Sequence, residues 1–462
     1  MSDTSKIVSL VKSIFGKQIE DVKNDIAGQP SVKHSSGESA LDVTDKNGNV
    51  AFRLKKNGHI QSSAFDSENV NRAVSTNADS DMDFIDEQCN VIMRLVNGGI
   101  KTKKFDSADY IGIKYRLKDQ IDGIYAACRW HQRYATDKQF CLLVAGDCHT
   151  DYVRPLSIIE FLNSIDAFDA GIMLGDMAGS NFESSIDHYA EAIVHTQKPF
   201  LTVLGNHDIG NAPSDEAIYQ KFGGFIQYAD LAEGEAVSGK CYYHKDFADQ
   251  KIRIIVLDQY EIKHDGYICY TQDQIDWFVD VLADTPSDYG VIIAEHTNPC
   301  YTMTYNLDLS VTSSTWKQSE KANTYMSGDI IPDIVNAWIN GTSLTQTYSY
   351  TFDDPPTAVS VDADFTERGE GEFITYMGGH WHMNMLGYPT NYSDQPDFHV
   401  PACGLTAAVQ GDMPRREGTV SEDSFCAFAV DRDNKTVKVF QLGAHYTKDA
   451  INRQYFKYEY GT

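Results

Sequence analysis

The chain has 462 residues, too many for one ordinary core, and its 42% hydrophobic and 23% charged content with 33 Gly and 13 Pro excludes collagen, extended coiled coil and wholesale disorder. A formal charge of −27 disfavours nucleic acid bound through a broad basic face, although bound metal ions would reverse the field locally. The nine cysteines are scattered, odd in number and lack a CxxC pair, so they are expected as buried thiols rather than a disulfide framework.

At the N-terminus, MSDTSKIVSLVKSIFGK breaks its apolar stretch with Ser9 and Lys12, too soon for a signal-peptide core, and no later run is long enough to span a membrane. An internal repeat follows. Asp42, Asp45, Asn49, Val50, Arg53 and Leu54 match Asp83, Asp86, Asn90, Val91, Arg94 and Leu95; after a one-residue gap, Asn57, Gly58, Ile60 and Phe65 match Asn97, Gly98, Ile100 and Phe105. Each unit reads as a β-hairpin, because NGNVAFRL and GHIQSSAF are short, partly alternating runs joined by the turn-forming KKNG. A lone hairpin is marginal in water, so these units need one another or a partner. Residues 1–107 therefore read either as a small β-subdomain packed on the rest or as an oligomerising or anchoring module. The repeats resemble those of phage tail and appendage proteins, which implies a homo-oligomer or a virion assembly and leaves the compartment open between cytoplasm and virion.

Residues 108–137 form a polar connector, after which strands alternate with helices. FCLLVAG (140–146), AGIMLG (170–175), FLTVLG (200–205), IRIIVLD (252–258), GVIIAE (290–295) and FITYMGG (373–379) read as strands buried on both faces. Helices are expected at Pro155–Ile165, Glu183–Val194, Glu216–Phe222 and Gln272–Leu282, the last with Ile275, Phe278, Val279 and Leu282 at helical spacing. Residues 300–370 interrupt this pattern. They hold Tyr301, Tyr305, Trp316, Tyr325, Tyr348 and Tyr350 and a helix from about Pro332 to before Gly341, and read as a cap on the sheet edge or a substrate-selecting lid. Arg415 and Arg416 are either solvated loop charges or contacts to a substrate phosphate. SFCAFAVDRDNKTVKVFQL (424–442) is a hairpin turning at RDNK. The fold class is α/β, with a layered mixed sheet over 138–462 preceded by the β-repeat module.

Five blocks sit at or just beyond strand ends, where ligands bind in open α/β sheets: Gly146-Asp147-Cys148-His149, Gly175-Asp176, Gly205-Asn206-His207-Asp208, Glu295-His296 and Gly379-His380-Trp381-His382. Each supplies Asp, Asn or His, oxygen and nitrogen donors suited to Mn, Fe or Zn, and each leading Gly is expected to let the chain turn sharply. The order DxH, GD, GNHD, H, GHxH over about 138–445, with the Gln274-x-x-Trp277 helix before His296, resembles the calcineurin-like metallophosphoesterase family.

The resemblance implies two divalent or transition metal ions. Asp147, His149 and His382 would hold the first, Asn206, His296 and His380 the second, and Asp176 would bridge them. It further implies hydrolysis of a phosphodiester or activated phosphomonoester by a hydroxide shared between the ions, with His207 protonating the leaving group or contacting the phosphate. Asp208 reads as a turn residue or a support of the site. One departure is that relatives carry GDxxD, whose second Asp orients the GNH histidine, whereas Gly179 stands there. Gly179 is not expected to orient His207, which leaves Asn181 or Asp208 to do so, or makes His207 a weaker general acid. The missing DR after GDxx argues against a Ser/Thr protein phosphatase.

Overall fold

The structure, a computed structural model, describes eight strands between residues 32 and 101 at the level of the backbone, and then residues 139–149, 153–179, 182–209, 215–261, 270–297, 330–349, 358–382, 385–389, 391–404, 421–444 and 455–461. The chain divides into two compact units, one comprising residues 1–116 with 417–419 and the other 117–416 with 420–462. The connector 108–137, Asn181, Tyr301, Tyr305, Trp316, Tyr325, Tyr350, Arg415 and Arg416 lie outside the described residues.

In the first unit, β1 (Val32–Lys33), β2 (Ser39–Thr44), β3 (Val50–Lys55) and β4 (Ile60–Ser62) form an antiparallel sheet in chain order. A second such sheet holds β5 (Arg72–Val74), β6 (Ser80–Ile85), β7 (Val91–Val96) and β8 (Gly99–Lys101). The repeat seen in the sequence is repeated in register. Asp42 pairs with Arg53 as Asp83 pairs with Arg94, and Leu54 with Ile60 as Leu95 with Ile100. Irregularities fall at the same two places in each copy. The expected hairpins exist, but each is the second half of a four-stranded unit; the first two strands of each unit lie mostly outside the matched segments.

The second unit is built on two mixed six-stranded sheets where the sequence suggested one. In the first, β9 (Gln139–Ala145), β10 (Ala170–Leu174) and β11 (Phe200–Val203) are parallel, and β20 (Ser424–Asp431), β21 (Thr436–Gly443) and β22 (Tyr455–Glu459) extend it antiparallel from β9. The second has the order β12-β13-β14-β17-β19-β18, from β12 (Tyr243–Phe247), β13 (Ile252–Val256), β14 (Gly290–Ala294), β17 (Glu372–Gly378), β18 (Met385–Gly387) and β19 (Asp397–His399). Between β14 and β17, β15 (Ser343–Ser349) and β16 (Ala358–Asp364) pair as a separate hairpin.

Alternation explains why two sheets stack. Leu142, Val144, Ile172, Leu174, Leu201 and Val203 on one sheet share a buried core with Ile252, Ile254, Val256, Ile292, Ile374 and Phe398 on the other. Phe398 and Phe428 meet at 4.6 Å between ring centroids, and Phe140 and Phe247 at 4.7 Å. Each such ring contributes about 1.5–3 kcal/mol through burial alone. Where both faces are covered, as on β10 and β14, the strand is buried throughout and reads as a continuous apolar run.

The helices are α1 (Val153–Ser164), α2 (Phe182–Ile193), the single turn α3 (Asn206–Ile209), α4 (Asp215–Ile226), α5 (Gln272–Ala283) and α6 (Ile330–Ile339). Helix α5 starts where the Thr271 side chain accepts the Gln274 N–H. It buries Ile275, Phe278, Val281 and Leu282, with Val279 only half-buried. The buried Gln274 side chain brackets Asp258 through that residue's N–H and carbonyl, at 2.8 and 2.9 Å, fixing the end of β13. At the opposite end of the sheets Arg432, from the RDNK turn, forks onto Glu372 at 2.9 Å twice and donates to the carbonyls of Lys251 and Asp288. That turn thereby staples the first sheet to the second. Within the 300–370 segment Tyr348 is buried and bonds Asp333 at 2.5 Å, so this aromatic ring serves packing. Among the described residues five cysteines are buried, and no helix is long and apolar enough to cross a membrane.

Candidate metal centre

The five blocks converge at the C-terminal ends of five parallel strands, three from one sheet and two from the other: β9, β10, β11, β14 and β17. Donor atoms of Asp147, His149, Asp176 and His382 lie within 4.8 Å of one another, and so do those of Asp176, His296 and His380. Asp176 belongs to both groups. The Asn206 carboxamide oxygen lies 3.1 Å from His296 Nε2 and 3.0 Å from His380 Nδ1, which places it in the second group. All seven ligands expected from the sequence are thus brought together, in the expected two sets.

The loops are joined through their backbones. Asp147 donates its N–H to the Gly175 carbonyl and His149 to the Asp176 carbonyl, both at 3.0 Å, while Gly379 N–H reaches the His296 carbonyl at 2.9 Å. Eight non-glycine residues among those described have positive φ, and five of them are among the expected ligands: Asp147 (55°), His149 (45°), Asp176 (54°), His380 (63°) and His382 (56°). Each such residue costs roughly 1 kcal/mol or more, strain of the kind that collects at functional sites. The leading glycines act differently from expectation. Only Gly175 among them takes a positive φ, 86°; at Gly146, Gly205 and Gly379 the ligand or the following residues make the turn. Gly205 and Gly379 are needed for space, since a Cβ would stand 2.3 Å from Asp176 Oδ1 and 2.5 Å from Asp147 Oδ2 respectively.

The donor set fits metal ions. His296 Nδ1 lies 2.7 Å from the Leu174 carbonyl, which can only accept, so this nitrogen carries the proton in the neutral ring. Its Nε2 lone pair then faces the Asn206 oxygen and, at 3.2 Å, Asp176 Oδ2. His149 Nε2 and His382 Nε2 face each other at 2.9 Å, with Asp147 Oδ1 3.4 Å from the latter. Against burial, Asp176 raises the His296 imidazole to about 9, so the metal-free ring holds a proton among these donors, and a cation bound between them would take its place. Burial disfavours the charged forms of His380, lowered to about 4, and of His149, leaving neutral imidazoles that can ligate. Burial also opposes charge on Asp176, yet His296, His207 and His149 hold its carboxyl below the usual range. Two carboxylates offset only half the charge of two divalent ions, so the loaded site would attract an anionic phosphate into an acidic protein.

His207 is half-exposed at the rim, its Nε2 4.0 Å from Asp176 Oδ2 and its ring 4.8 Å from that of His149. Its Nδ1 lies 3.2 Å from the Gly179 carbonyl oxygen. Gly179 does orient His207, through its backbone, contrary to the expectation drawn from its missing side chain. Asp208 makes no contact with the His207 ring; it is fully buried, accepts N–H groups from Asp176 (2.9 Å), Gly205 (2.8 Å) and Ala178 (2.7 Å), and so ties the β10 loop to the β11 loop. It is a support of the site rather than a group facing it.

The calcineurin-like phosphoesterase family model matches residues 142–384, that is 243 of 462 residues. Among solved structures, a Streptococcus pneumoniae protein described as a predicted phosphoesterase is 7% identical with a TM-score of 0.28, covering 70% of this chain and 98% of its own. Vps29 of Chaetomium thermophilum is 11% identical at 0.27, covering 70% and 98%, and the phosphopantetheinyl hydrolase of Mycobacterium tuberculosis is 11% identical at 0.26, covering 58% and 91%. Likeness at this level is too slight to bear on function. No curated protein matches the chain. With the family model spanning more than half of the chain, the protein belongs to the calcineurin-like phosphoesterases, metal-dependent hydrolases.

Proposed function

We propose that the protein hydrolyses a phosphodiester or activated phosphomonoester at a dinuclear centre, with Asp147, His149 and His382 on the first ion, Asn206, His296 and His380 on the second, and Asp176 between them. The observation that carries this reading is the sharing of Asp176 by both donor groups. When bound, two such ions lower the pKa of a shared water and clamp phosphoryl oxygens for in-line displacement. The chain's own contribution is positional. Leu174 fixes the tautomer of His296, Asp208 holds the two loops at their spacing, and Gly179 turns His207 Nε2 toward the substrate side. From there His207 donates to a phosphate oxygen or protonates the leaving group. Gly179 supplies a neutral acceptor in place of a carboxylate, which favours substrates whose leaving group needs little protonation. Manganese-loaded protein assayed on bis-p-nitrophenyl phosphate, p-nitrophenyl phosphate and nucleotides tests the proposal; turnover of none of them, at any metal loading, would refute it.

A second reading concerns the same chain as a structural component of a larger assembly such as a virion tail or appendage. It is favoured by the duplicated four-stranded unit, which contributes none of the nine candidate site residues. Removal of residues 1–116 should then leave esterase activity intact and lower the oligomeric state; an intact chain that is monomeric and binds no partner would contradict it.

A further inference from the structure

Behind the GHxH block lies a buried polar pair that no motif announces. Asp397 and His399 are each 1% exposed and sit on β19, beside the end of β17, where His399 pairs with Gly378. The His399 ring lies close against the backbone there, since a Cβ on Gly378 would stand 2.7 Å from its Cε1. Its Nδ1 is 3.1 Å from the Gly379 carbonyl, an acceptor only, so this nitrogen carries a proton. The same carbonyl accepts the Trp381 N–H at 2.7 Å, closing a three-residue turn about His380 at φ 63°, the rare and strained form of the γ-turn.

On the far side of the ring, Asp397 Oδ1 lies 3.1 Å from His399 Nε2. The contact is within ion-pair distance but off the line of a hydrogen bond, and neither Asp397 oxygen nor His399 Nε2 has a hydrogen-bond partner among the described residues. Buried side by side, the Asp397 carboxylate limits where the far edge of the His399 ring can lie. On the near side, the peptide whose carbonyl His399 holds presents its N–H, that of His380, to Asp147 at 3.0 and 3.1 Å.

We propose that Asp397 and His399 are positioning residues for the metal centre, acting along one chain: Asp397 against His399, His399 on the Gly379–His380 peptide, and that peptide on the carboxylate of Asp147. Together these contacts hold a strained turn in the shape that aims His380 and His382. The first metal position depends on the chain most, because two of its ligands, Asp147 and His382, lie at or beyond its end. This inference rests on the dinuclear reading above.

The test is a calorimetric Mn²⁺ titration of metal-free full-length protein, with its melting midpoint measured alongside. Wild type should bind two ions. His399→Leu should weaken one of them by about 10- to 100-fold. His399→Asn, which keeps an N–H donor near the Nδ1 position, should restore most of that loss, and Asp397→Asn should fall between. A His399→Leu protein that binds both ions like wild type overturns the proposal, as does equal weakening of both with no rescue by His399→Asn, which would mark a mere packing role. If His399→Leu does not fold, unchanged Mn²⁺ affinity in Asp397→Asn overturns it. Wild type that binds no Mn²⁺ removes the dinuclear reading itself, an outcome separate from the others.

Discussion

The Gly179 carbonyl oxygen lies 3.2 Å from Nδ1 of His207, so a backbone atom stands where relatives place a carboxylate. An uncharged acceptor sets the direction of the ring but gives little extra stabilisation to a positive charge on it. His207→Ala should therefore keep its metal content and lose rate chiefly on esters with alkoxide leaving groups, by about 100-fold or more, with a smaller loss on p-nitrophenolate. Equal losses on both leaving groups would argue against a proton-donating role.

Asp208 is expected to matter through three backbone N–H groups. Asp208→Ala strands three buried donors, and Asp208→Asn retains only one acceptor oxygen for them. A stranded buried donor costs about 1–3 kcal/mol, so the alanine variant should lose at least about 3 kcal/mol in a urea melt of the metal-free protein. The asparagine variant should lose less.

Gly205 lies against Asp176, the proposed bridge, and Gly205→Ala would put a Cβ 2.3 Å from both the Asp176 backbone nitrogen and Oδ1. Backbone must move to relieve this. The expected result is a folded protein with reduced metal content, destabilised by about 1–3 kcal/mol, read by metal analysis and thermal melting.

A pH dependence follows from Asp169, which accepts the Cys141 N–H at 2.7 Å. Burial raises its carboxyl from the ordinary 3.8 to about 6, with the Cys141 N–H and Lys198 opposing. The folded state therefore holds this proton more tightly than the unfolded one. Stability should fall as pH rises from about 4 to about 6 and then level, by about 3 kcal/mol for this group. Asp169→Asn, whose side-chain oxygen still accepts the N–H, should flatten that segment of a stability-versus-pH curve; an unchanged slope would remove the assignment.

What the sequence made legible was local. Runs such as FCLLVAG and GVIIAE are apolar because both faces are covered, and each ligand block sits in a few residues beyond such a run. Pairing between strands far apart in sequence leaves no such trace, which is why two sheets read as one; each four-stranded repeat read as a hairpin because its first two strands lie mostly outside the matched segments. Backbone groups carry no residue identity, so neither the Gly179 carbonyl on His207 nor the strained φ of Asp147 and His380 could be read from side-chain chemistry. The glycine rule itself misled: the crowding at Gly205 and Gly379 comes from carboxylates of other loops. Asp397 and His399 alternate on a three-residue strand whose pattern resembles any buried edge.

Elemental analysis of manganese-reconstituted wild-type and Asp176→Asn proteins decides whether two metal ions share Asp176. About two ions per chain are expected in the wild type, and in the variant at most one, with phosphoesterase activity lost. A wild type that holds no metal after reconstitution, or an Asp176→Asn protein that keeps both ions and full activity, would contradict that sharing.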